Sequence, residues 1–113
     1  MYIEFIEHNS WEGETWSAFV KADDPLCQRL VKVIDRAFEC GLCGEDIGLE
    51  YKKVDYDDNA VESLCSRDEG NYMARYFKAS ISKGELEKAE KLDFSTFTDE
   101  DCEMINYKMS MFE

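Results

Sequence analysis

Histidine, proline and positive charge are scarce in this sequence, and each shortage narrows what the chain does. His8 is the only histidine, so any Ser/His/Asp or Cys/His arrangement would have to be assembled around it. It closes an apolar stretch beside a polar turn, where a partly exposed structural histidine is the expected outcome. The glycine patterns that cradle phosphates, GxGxxG and the P-loop, are missing, as is the HExxH pair of zinc proteases. Pro25 is the only proline and no Ser/Gly-rich run occurs, while 44% of the residues are hydrophobic. That composition belongs to a chain that folds. At 113 residues it reads as one domain spanning 1–113.

Thirteen Lys and Arg stand against 26 Asp and Glu, for a formal charge of −13. Such a field repels nucleic-acid phosphates and anionic membranes and attracts basic protein surfaces. Direct binding to nucleic acid is therefore not expected. No apolar run approaches the ~20 residues that cross a bilayer, and the opening MYIEFIEHNSWEGE lacks the basic and apolar regions of a signal peptide. The five cysteines are odd in number. A soluble protein of the reducing cytoplasm with free thiols is the expectation.

What the chain does have is a readable succession of elements. Tyr2, Ile3, Phe5 and Ile6, then Trp16, Ala18 and Val20, form two strand-like runs over 2–7 and 15–21 around a polar loop, predicting a β-hairpin. Asp24-Pro25 is a helix start, and Leu26, Leu30, Val33, Ile34, Ala37 and Phe38 recur at intervals of three and four as far as Gly41. After a loop over 41–44, Ile47, Leu49 and Tyr51 predict a third strand. Asp57 or Asp58 caps a short helix through Ala60, Val61, Leu64 and Cys65, ended by 67–70. Residues 72–81 alternate as a fourth strand, with the Phe77 face expected in the core. Ser82 and Glu85 have capping-box spacing ahead of a helix over 83–91, and Thr98 with three acids predicts a last helix over 99–110. The sum is an α+β domain, order β-β-α-β-α-β-α-α, with a small, mostly antiparallel sheet of about four strands and helices packed on one face.

Candidate chemistry is thin. Cys40-Gly-Leu-Cys43 is a CxxC, able to supply two corners of a zinc site with Cys27 or Cys65 as further ligands, but no second pair at ligand spacing accompanies it. A redox CxxC opens a helix, whereas Cys40 closes one. Asp55, Asp57, Asp58 and Glu62 loosely suggest a calcium loop without the glycine and twelfth-position glutamate that an EF-hand requires. No cofactor, metal or catalytic residue is expected.

The acids are unevenly spread. Asp55, Asp57, Asp58, Glu62, Asp68 and Glu69 crowd one stretch and Asp99, Glu100, Asp101 and Glu103 another, with Arg67 the one base inside the first and Lys108 the first base after the second. Individually they are read as helix caps and solvated faces; together they are a candidate binding surface. Trp11, set in a polar turn with Glu12 and Glu14, is either an interface anchor or a residue folded back onto the sheet. In size and charge the chain is similar to the DNA-mimicking inhibitors of bacteriophages and mobile elements, anti-CRISPR and antirestriction proteins among them. That resemblance implies a non-enzymatic protein inhibitor whose carboxylates occupy a basic nucleic-acid-binding site of another protein. Two alternatives stay open: an immunity protein or regulatory module with a more apolar interface, and a zinc-stabilised module using the CxxC.

Overall fold

A computed structural model describes residues 1–9, 14–66, 74–96 and 111–112, with Asn9, Glu14, Ala74 and Arg75 described by their backbone alone. The hairpin strands β1 (Tyr2–Asn9) and β2 (Glu14–Lys21) occupy the middle of the sheet. Strand β3 (Leu49–Val54) pairs antiparallel with β1 on one side, and β4 (Ala74–Lys78) pairs parallel with β2 on the other. The strand order is β3-β1-β2-β4. An α+β architecture with a mostly antiparallel four-stranded sheet is therefore what the chain adopts.

Helix α1 (Pro25–Glu39) begins where the sequence places it. Asp24 stays extended and its Oδ1 accepts from the Leu26 N–H at 2.9 Å, while Pro25 takes the first position, where a missing N–H costs nothing. At the other end Gly41, at φ 88°, turns the chain out of the helix, with its N–H bonded to the Phe38 carbonyl at 3.0 Å. Cys27, Leu30, Val31, Val33, Ile34 and Ala37 are buried. They meet Ile3 and Phe5 of β1, Ala18 and Val20 of β2, and Leu49 of β3 in the main core. Helix α4 (Lys83–Glu90) closes this side with Leu86 and Ala89. Phe77 packs against this core, as expected, and lies edge-on to Trp16 and Phe112 at 6.4 Å between centroids.

Side chains alternate across a strand, so Tyr2, Phe19 and Val54 point to the opposite face. Helix α3 (Asp58–Cys65) covers them there, with Val61 fully buried and Leu64, Cys65 and Tyr76 around it. The helices thus pack on both faces rather than on one. The reason is the apolar alternation of β1 and β2, which leaves a second patch too large to expose and gives α3 something to bury.

Three local expectations are also revised. The stretch before β3 is not a plain loop: Gly44–Ile47 forms the one-turn helix α2, and Gly48 at φ 78° starts β3 two residues later than Ile47. Described pairing in β4 stops at Lys78, and Ile81 instead makes an isolated antiparallel bridge with Phe112. Ser82 occupies the N-cap of α4 without a side-chain cap bond. Its N–H is taken by the Met111 carbonyl at 2.7 Å, and Glu85 turns to Lys88 at 3.2 Å. The helix over 99–110 lies outside the described residues.

Candidate functional site

The described part of the acidic stretch is the turn from β3 into α3. Asp57, extended at φ −83° and ψ 175°, accepts from the Ala60 N–H at 2.7 Å and so begins the helix. Val61 then pins the helix to the sheet, which presents Asp55, Asp57, Asp58 and Glu62 on its exposed side. The Tyr2 hydroxyl donates to Asp58 Oδ1 at 2.6 Å across 56 residues of sequence. That bond, with Lys21 and Lys78 nearby, holds the Asp58 carboxyl below the usual carboxylate range and lifts the Tyr2 phenol above its ordinary value. Glu62 pairs with Lys78. Tyr56 sits among these acids, with its ring 6.1 Å from that of Phe19.

Asp55, Asp57, Asp58 and Glu62 are therefore brought together, and three of the four have a structural partner. In space two further lysines, Lys21 of β2 and Lys78 of β4, adjoin them. Trp11, Glu12, Asp68, Glu69, Asp99, Glu100, Asp101 and Glu103 lie outside the described residues, as does the side chain of Glu14. At the hairpin end of the sheet, Glu39, Asp46 and Glu50 make no ion pair with lysine or arginine among the described residues. Asp46 accepts from the Cys43 N–H at 2.8 Å, which lowers its pKa. None of these acids stood out in the sequence, because they are single residues on three different elements.

Two of the three bases of α1, Arg29 and Arg36, are joints of the fold. Arg29 reaches Glu90 of α4, with Nε 3.1 Å from Oε2. Arg36 donates to the Glu90 and Leu92 carbonyls at 3.1 and 2.6 Å and lies 5.4 Å over the Phe94 ring. His8 is the partly exposed histidine expected, 3.1 Å from Glu50 Oε1, though it stands on a central strand. Below the sheet surface, Glu4 is buried with its Oε2 accepting from the Ser17 hydroxyl at 2.8 Å and Lys52 3.7 Å from Oε1. Glu7 is half-buried on the α1 face, and desolvation raises its pKa.

Cys40 and Cys43 are free and exposed, at the end of α1 and the start of α2. Cys27 begins the same helix, about 20 Å from Cys40 at the helical rise. It is buried, which pushes its thiol up to about 11. Cys65 packs on the opposite face of the sheet. Neither can complete a zinc site with the CxxC, and among the described residues no three His, Cys, Asp or Glu side chains gather as metal ligands. No described helix is long and apolar enough to cross a membrane. No family model, curated protein or solved structure matches this chain.

Proposed function

We propose that the chain is a non-enzymatic inhibitor that docks its carboxylates onto a basic, nucleic-acid-binding site of another protein, in the manner of phage anti-CRISPR or antirestriction proteins. The observation that carries this reading is the row Asp55, Asp57, Asp58 and Glu62 on one turn and helix of a chain with a charge of −13. The helix cap, the Tyr2 hydroxyl and Lys78 limit the freedom of three of these carboxylates, so less entropy is lost when they meet arginines and lysines. Exposed Tyr56 adds an apolar contact in the middle of the row. Phosphate-like occupancy would release the counterions that nucleic acid itself releases.

An immunity protein or regulatory module would use a more apolar contact. Among the described residues the exposed large apolar side chains are Met1, Phe38 and Tyr56, with Phe38 at the far end of α1 from Tyr56. That distribution gives the apolar alternative less to work with.

The test is a DNA-cleavage assay with guide-loaded CRISPR nucleases and restriction enzymes. The chain should block DNA binding by at least one of them, with inhibition falling steeply between low and moderate salt. D55N/D57N/E62Q should relieve the block without unfolding, because Asn at position 57 still caps α3. Inhibition that ignores salt and this variant would remove the acidic row as the contact surface.

A further inference from the structure

Among the described residues no strand pairs with the outer edge of β3, and the sequence of that strand is complementary to itself. The His8 N–H bonds the Gly48 carbonyl at 2.9 Å, and β3 continues from there in register with β1, Glu50 opposite Ile6, Lys52 opposite Glu4 and Val54 opposite Tyr2. In an antiparallel ladder hydrogen-bonded and non-bonded pairs alternate. Glu50, Lys52 and Val54 therefore turn their backbone groups toward β1, while Leu49, Tyr51 and Lys53 turn theirs away. Those outward N–H and C=O groups form no backbone bond elsewhere among the described residues. Both Lys52 and Lys53 are exposed.

We propose that β3 pairs antiparallel with β3 of a second copy, about a two-fold axis through Tyr51, joining two sheets into one. Such an interface is isologous, so every contact occurs twice. Three symmetric registers centre on the middle residues of the strand, Glu50, Tyr51 and Lys52. Centring on Glu50 sets glutamate against glutamate, and centring on Lys52 sets lysine against lysine; both are penalised. Centring on Tyr51 is different in two respects. It alone engages all three outward residues of each strand, Leu49 with Lys53 and Tyr51 with its own copy. It also places Glu50 opposite Lys52 in both non-hydrogen-bonded pairs, where facing side chains approach most closely.

Glu50 and Lys52 have the freedom to meet across that axis, at 40% and 59% side-chain exposure. Lysines commonly guard a sheet edge against unwanted pairing. Here that protection is cancelled for Lys52 in one register alone. The strand also carries two bases and one acid in a chain of opposite balance, so two copies repel each other less at this edge than the overall charge would make them. Self-pairing neither requires nor disturbs the acidic row of α3.

Sedimentation equilibrium of the full chain at physiological ionic strength tests this. The mass should rise with concentration from 13.2 kDa toward twice that value. E50K alone and K52E alone should each weaken self-association by at least about tenfold. An equimolar mixture of the two should regain it as a heterodimer, because every facing pair is then opposite in sign. Far-UV circular dichroism checks that each variant is folded. For variants that fail to fold, hydrogen exchange on the unaltered chain replaces them: the Leu49, Tyr51 and Lys53 amides should gain protection as concentration rises. A mass fixed at 13.2 kDa, a dimer indifferent to E50K, or amides whose protection ignores concentration would each overturn the proposal.

Discussion

The two faces of the sheet are built by different means. On the α1 face, Ile3, Phe5, Ala18, Val20, Leu30 and Ile34 form one continuous apolar layer, joined to α4 by the Arg29 and Arg36 contacts. The α3 face has a small apolar centre of Tyr2, Phe19, Val54 and Val61, with buried polar Glu4 and Ser17 beside it. One face is held by area and the other by a few tethers, among them Tyr2 to Asp58 and Glu62 to Lys78. The comparison teaches that the proposed contact surface stands on the less deeply anchored helix.

The sharpest way to break this contrast is truncation on each side. Phe5→Ala removes a fully buried ring that packs on Tyr51 and Phe112 and should cost about 3–5 kcal/mol, read from urea midpoints. Val61→Ala should cost less, about 1–2 kcal/mol, and α3 amides should lose hydrogen-exchange protection while those of α1 keep theirs. A smaller effect is expected at the cap: Asp57→Ala should cost about 1 kcal/mol and Asp57→Asn much less, by thermal melts.

The smallest effect has a pH sign. The pKa of Glu7 is raised by burial, so its protonated form suits the folded state and its charged form opposes folding. Its favourable contribution is present below the ordinary carboxyl range and is lost as pH rises through the raised value. Glu7→Gln should therefore raise the melting temperature slightly at neutral pH, and the gain should vanish in acid.

Much of the α1 face could be read directly. Period-two alternation in β1 and β2 and the Asp24-Pro25 start of α1 are local signals, and the structure follows them. The α3 helix and its Asp57 cap were legible too. Its side of the sheet was not, because the decision rests on Phe19 and Val54 being left bare by a core on the other face. Gly48 explains the displaced start of β3: a left-handed residue after one helical turn leaves Ile47 in the core without making it a strand residue. The charge pattern around α3 misled for a similar reason. Lys21 and Lys78 are remote from Asp58 in sequence, and only the pairing of β1 with β2 and of β2 with β4 sets them beside it. Tethers spanning more than fifty residues, such as Tyr2 to Asp58 and Arg29 to Glu90, leave no periodic trace.

The strand order has a consequence for assembly. The two middle strands are neighbours in sequence joined by a short connection, whereas each outer strand returns from much farther along the chain. Ring-closure entropy therefore rises from the centre of the sheet outward, and is greatest for the parallel partner at the β4 margin. An early hairpin serves as the template on which both flanks must condense, and events that delay synthesis or docking of the second half fall on the flank that bears Phe77.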